Sequence, residues 1–238
     1  FNLHHIVTDA RSMAVLFQEL TTLYHAARRG ETAPLSAQPL QYADFASWDR
    51  QRLSETAQAE HVRFWQDKLS GWPSQVELPT DHPRKPTGSV RSASAPFAWD
   101  SDLSDALRML GASHHATLSM VLLAGLASLV HRYTGEERFL LGIPSLGRDH
   151  VETESAVGFF INLLPIRIDF RGQPSFASLL EQIRGEVLAA FAHDALPFEL
   201  LVQHLRIQRS AGHGPLVQVA LAPQPLDEPQ AGRAVHAR

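Results

Sequence analysis

No cysteine occurs in the 238 residues, which excludes a disulfide framework, thiolate zinc sites and a cysteine nucleophile together. The same absence fits a reducing, cytoplasmic setting. Charge of one sign is missing too: 21 Lys and Arg stand against 25 Asp and Glu, a net -4 with His neutral. A balance that even leaves no electrostatic footprint for nucleic acid or an anionic membrane. Long apolar runs are also lacking. The longest, Leu118 to Val130, is interrupted by Ser119, Gly125 and Ser128 and closed by His131-Arg132, so it predicts a buried core helix and no membrane span. The absence of Gly-x-Gly-x-x-Gly and of a P-loop removes the dinucleotide and nucleoside-triphosphate signatures, and the absence of Gly-x-Ser-x-Gly weakens a serine-hydrolase reading.

What is present is a chain with 44% hydrophobic residues, long enough for one large domain or two small ones. The opening, Phe1 to Val7, is apolar and reads as chain entered inside a β-strand whose pairing partners lie elsewhere. Helical spacing then runs from Met13 to Arg29, with Gly30 as the stop. Tyr42 to Leu53 and Ser54 to Leu69 read as two helices with an aromatic face. Residues 71–89 carry Pro73, Pro79, Pro83 and Pro86 and read as a stiff linker. Beyond it, strands are expected over Ser92 to Trp99, Arg138 to Ile143, Phe159 to Phe170 and Leu216 to Leu221. Helices are expected over Asp102 to Ala112, Leu118 to Tyr133, Ser175 to Ala192 and Pro197 to Leu205. Pro165 implies an edge strand or a bulge. The class is α/β in two unequal parts, with residues 223–238 expected as a disordered tail.

His4-His5-Ile6-Val7-Thr8-Asp9 is the sharpest local signal. A histidine before a turn into a helix can aim its imidazole into a cleft and move a proton near neutrality. Asp9 stands at the turn, where a buried carboxylate needs a cation or backbone N–H groups. An ordinary pair of strand-end histidines, one in the core and one exposed, fits the same residues. A metal site lacks support: there is no His-Glu-x-x-His, no third ligand follows His5 and Asp9 at useful spacing, and His114-His115 point apart on a helix. Arg148 and Asp149 fall in a polar loop and read as solvated. Tyr42, Phe45 and Trp48 read as the core face of a helix.

Five blocks in order carry a resemblance. His4-His5-Ile6-Val7-Thr8-Asp9-Ala10 resembles the HHxxxDG motif of nonribosomal peptide synthetase condensation domains, and Tyr42 to Trp48 resembles their YxDFAxW block. Val157 to Arg167 is similar to their GFFVNTLPLR block, and His193 to Val202 to HxDLPFExLV. Arg209 to Val219 is similar to a degraded RDxSxxPLFQV. The blocks cover residues 1–222.

The resemblance implies two chloramphenicol-acetyltransferase-like lobes of mixed sheets with flanking helices, enclosing a tunnel, the first lobe being incomplete. Residues 1–78 would be the back of the first lobe, 79–89 the linker and 90–222 the second lobe. It implies amide formation, with donor and acceptor peptidyl carrier domains delivering phosphopantetheine thioesters and an adenylation domain as neighbour in an antibiotic-type synthetase. No cofactor would be bound directly. By the same resemblance His5 is the catalytic histidine, His4 packs behind it, and Asp9 pairs with an arginine from a block preceding this chain. Asn162 and Arg167 would shape the tunnel. Ala10 stands where the motif has glycine, and would cost something if the turn needs φ > 0. It leaves open a silent platform that recruits a partner enzyme. A stand-alone acyltransferase using a CoA thioester is the weaker third reading.

Overall fold

The structure, a computed structural model, describes residues 2–35, 37, 40–81, 92–207 and 214–223. Among them are seven α-helices: α1 (Ala10–Arg29), α2 (Tyr42–Arg52), α3 (Glu55–Leu69), α4 (Ser101–Ser113), α5 (Leu118–Thr134), α6 (Phe176–Phe191) and α7 (Phe198–His204). Two strands, β1 (Arg138–Ser145) and β2 (Asn162–Asp169), form one sheet. Local chemistry sets the boundaries. Asp9, Asp100, Thr117 and Ser175 cap α1, α4, α5 and α6 with their side chains. Gly30 ends α1 at φ 67°, the left-handed conformation that glycine adopts freely.

Chain contacts divide the molecule into two units. The first comprises the described residues within 1–58 and 146–162, and is built on α1 and α2. The second comprises residues 59–145 and 163–222. Its core packs α5 and α6 around the sheet: Leu123, Ala124, Phe139, Leu141, Ile166, Ile168, Leu180 and Ile183 are all buried. The N–H of Phe170 donates to the carbonyl of Glu137 at 2.7 Å, joining the end of β2 to the start of β1, so the pair is antiparallel. Residues 59–81 group with the second unit and 146–162 with the first.

Three expected strands take other forms. Residues 1–7 contain a 3₁₀ turn, His5–Val7, because Val7 N–H and Thr8 N–H bond to the carbonyls of His4 and His5 and the His4 ring caps Ile6 N–H, a local bond that competes with strand pairing. Ser92 to Trp99 is irregular, with Phe97 and Trp99 exposed. Its small polar residues offer little to a sheet face, and Pro96 has no N–H to give. Leu216 to Leu221 is reduced to a single parallel bridge, Ala220 beside Gly142 of β1. The α/β class stands. Residues 224–238 of the expected tail and 82–89 of the proline-rich linker lie outside the described residues. No single helix among the described residues is long and apolar enough to cross a membrane.

Candidate functional site

The site is assembled in the first unit, where α1 begins. The His5 ring sits on the 3₁₀ turn with Nδ1 2.6 Å from the carbonyl oxygen of Thr8. A carbonyl only accepts, so Nδ1 carries the proton and the neutral ring keeps its lone pair on Nε2. The Phe159 ring meets the imidazole edge to face, centroids 5.1 Å apart at 88°. A hydrogen bond and an aromatic wall thus fix the ring plane and the tautomer of an exposed histidine. His4 does not pack behind it. Its Nδ1 accepts from Ile6 N–H at 3.1 Å, and the residue is exposed, so its role is to cap the turn that bends His5 toward Thr8.

Asp9 is buried at 2% exposure. Oδ1 accepts from the N–H and the hydroxyl of Ser12, each at 2.7 Å. Oδ2 accepts from the N–H of Phe160 at 3.2 Å. Nη2 of Arg148 donates to both carboxylate oxygens, at 3.0 and 3.1 Å. The expectation of an arginine from a preceding block is therefore corrected, as is the solvated reading of Arg148, whose side chain is 6% exposed. Its Nη1 donates to the carbonyls of Thr153 and Ala156, and its guanidinium lies 4.0 Å over the Phe160 ring. Asp149 is exposed as expected.

Two glycines make this geometry possible. Gly147 has φ 61°, and a Cβ there would overlap the carbonyl oxygen of Phe160. Gly158 lies against the Tyr42 ring, where a Cβ would overlap ring carbons. Tyr42 in turn donates its hydroxyl to the Phe159 carbonyl at 2.7 Å and meets Phe160 edge to face. Tyr42 and Phe45 are half-buried and cover the 158–160 loop, while Trp48 is exposed beside Phe45 and His150, so the three do not form a sealed core. Ser12 and Arg148, both at the centre of this network, escape a reading of the sequence. A lone arginine in a polar loop has no local signature. The available clue is the requirement that a buried Asp9 find a cation, with Gly147 marking a tight turn.

Ala10 takes the first position of α1 with helical backbone and an exposed methyl, so no positive φ is required of it and that cost does not arise. Asn162 and Arg167 are five apart on β2, hence on opposite faces by strand alternation. Arg167 is committed to the second unit: it pairs with Glu186 at 2.6 Å, donates to the Lys68 carbonyl at 3.0 Å and stacks over Trp72. Burial raises the Glu186 carboxyl, and bonds from Arg167 and Lys68 outweigh that, leaving it below the usual range. In the same unit, His193 of the fourth block shares a 3.0 Å Nδ1–Nδ1 contact with His61 and stacks on Phe64. No group of three or more His, Asp or Glu that could hold a metal occurs among the described residues.

A family model for the condensation domain matches residues 1–233. A linear gramicidin synthase from Brevibacillus parabrevis is 42% identical over 92% of this chain, which covers 4% of that protein. Phosphinothricin tripeptide synthetase from Streptomyces viridochromogenes is 40% identical over 91% of the chain, covering 20% of it. The chain thus spans a small part of the curated relatives it matches. Among solved structures, the X-domain from teicoplanin biosynthesis superposes with a TM-score of 0.83 at 27% identity, over 92% of this chain and 50% of that one. A complex of that X-domain with OxyB gives 0.83 at 28%, over 92% and 49%. The first condensation domain of the CDA synthetase gives 0.71 at 26%, over 94% and 48%. The paired histidines, the buried Asp9 behind them and a match along nearly the whole sequence lead to one assignment: the chain belongs to the condensation-domain family of nonribosomal peptide synthetases.

Proposed function

We propose that this chain forms amide bonds between two carrier-bound substrates. The amine of an acceptor aminoacyl thioester attacks the carbonyl of a donor acyl or peptidyl thioester. The C–N bond forms, the C–S bond breaks, and the donor pantetheine leaves as a thiol while the amine loses a proton. Phosphopantetheine arrives on donor and acceptor carrier domains as part of the substrates, with an adenylation domain as neighbour. Residues 1–78 and 90–222 would belong to the two lobes bounding the tunnel, with Asn162 on its wall. Holding both thioesters end to end replaces a bimolecular encounter by a local one, worth several kcal/mol of barrier.

The observation that carries this reading is the His5 ring, set in one tautomer by the Thr8 carbonyl with Nε2 as its basic nitrogen. That atom can take the amine proton or orient the amine lone pair. The test uses the protein at its full natural length, with acyl and aminoacyl carriers and product read by intact mass. Product from wild type that falls sharply in His5→Ala supports the proposal. Intact thioesters and no product from folded wild type across several substrate pairs sink it. Recruitment of a partner enzyme would then take its place.

A further inference from the structure

Ser12 has no exposure and lies seven residues after His5, in the first turn of α1. Its hydroxyl oxygen has four polar neighbours: Asp9 Oδ1 at 2.7 Å, the Gly158 carbonyl at 2.8 Å, the Gly158 N–H at 3.0 Å and Arg148 Nη2 at 3.0 Å. A hydroxyl has one proton and two lone pairs. It therefore accepts from Gly158 N–H and Arg148, and its one proton goes to Asp9 Oδ1, the nearer acceptor and a member of the ion pair with Arg148. A single small side chain thus bonds both the cap of α1 and the backbone of Gly158.

That double attachment has a consequence for the imidazole. The His5 ring has two fixed contacts, one with the Thr8 carbonyl beside the Asp9 cap and one with Phe159 on the loop. Three consecutive loop residues are gripped in turn: Gly158 by Ser12, Phe159 by Tyr42 and Phe160 by Asp9. We propose that Ser12 is a positioning residue for His5, holding the Phe159 wall and the Thr8 carbonyl in register so that the ring keeps one orientation and one tautomer. Without the hydroxyl, the Gly158 N–H loses its acceptor, and the α1 cap holds the 158–160 loop only through the Phe160 N–H to Asp9, which loosens the Phe159 wall against the ring.

The proposal rests on His5 acting at the chemistry, and the experiment separates the two claims. In the full-length protein, Ser12→Ala and Ser12→Thr are compared with wild type by single-turnover condensation and by ¹⁵N resonances of the histidine rings, with His5→Ala assigning the His5 signals. Ser12→Ala is expected to slow turnover at saturating carriers by roughly tenfold to a hundredfold, with half-saturation changed by less than about twofold. The His5 signals should lose their Nδ1–H pattern, and Ser12→Thr, which keeps the hydroxyl, should recover both rate and pattern. Unaltered His5 signals in folded Ser12→Ala overturn the proposal, whatever the rate. If Ser12→Ala does not fold, Ser12→Cys, of similar volume and weak in hydrogen bonding, is judged by the same criteria. Absence of product from wild type sinks amide formation alone, because the ring signals still decide the role of Ser12.

Discussion

Asp9 and Arg148 lie 139 residues apart in sequence and meet through both carboxylate oxygens in a buried pair. The pair ties the cap of the helix that follows His5 to the loop after β1. Its strength depends on completeness: a buried charge stays favourable only while its partner and further hydrogen bonds are in place.

Arg148→Met tests that dependence. It leaves the Asp9 carboxylate buried beside N–H and hydroxyl donors alone, and removes the donor to two loop carbonyls. A stability loss of about 3–5 kcal/mol is expected in chemical denaturation. A loss under about 1 kcal/mol would mean that the pair is as weak as a surface salt bridge.

Gly147→Ala should act on the same loop from the backbone side. At φ 61° a side chain is strained, and its Cβ collides with the Phe160 carbonyl. The expected cost is about 2 kcal/mol or more, with weaker protease resistance at the loop. A variant as stable as wild type would refute the steric argument.

Ala10→Gly should be mildly destabilising, by up to about 1 kcal/mol, because the position is helical and exposed and glycine adds only unfolded-state entropy. A gain in thermal stability would instead indicate that the methyl strains the turn.

Glu186→Gln removes the anion between Lys68 and Arg167, whose side chains are 8% and 30% exposed. About 3 kcal/mol of stability should be lost. Because the Glu186 carboxyl lies below its usual range, its contribution is present above the unfolded value and disappears as pH falls through the lowered folded one. The Glu186→Gln variant should therefore show a shallower acid limb than wild type.

His193 gives a second acid-side dependence. Burial and the neighbouring His61, together with Lys68, hold its imidazole below the usual value against an opposing pull from Glu60. The unfolded chain then binds more protons, so stability is complete above about pH 6.5 and is lost as pH falls toward the lowered folded value. Urea midpoints at a series of pH values check this. An equal slope in His193→Phe would show that the group is not responsible.

Much of this molecule is readable along the chain. Helices α1 to α7 lie where apolar spacing and cap residues put them, since i to i+4 contacts and caps such as Asp9, Thr117 and Gly30 are local. The family is also readable, because His4, His5 and Asp9 sit in one block. Two features are decided only by tertiary structure. The cation for Asp9 comes from a loop 139 residues away, and the third grip on the site comes from the Ser12 hydroxyl reaching the backbone of Gly158. The reason is common to both: desolvation makes a polar group demand a partner, and which distant residue answers depends on how the chain folds back, which no local pattern records.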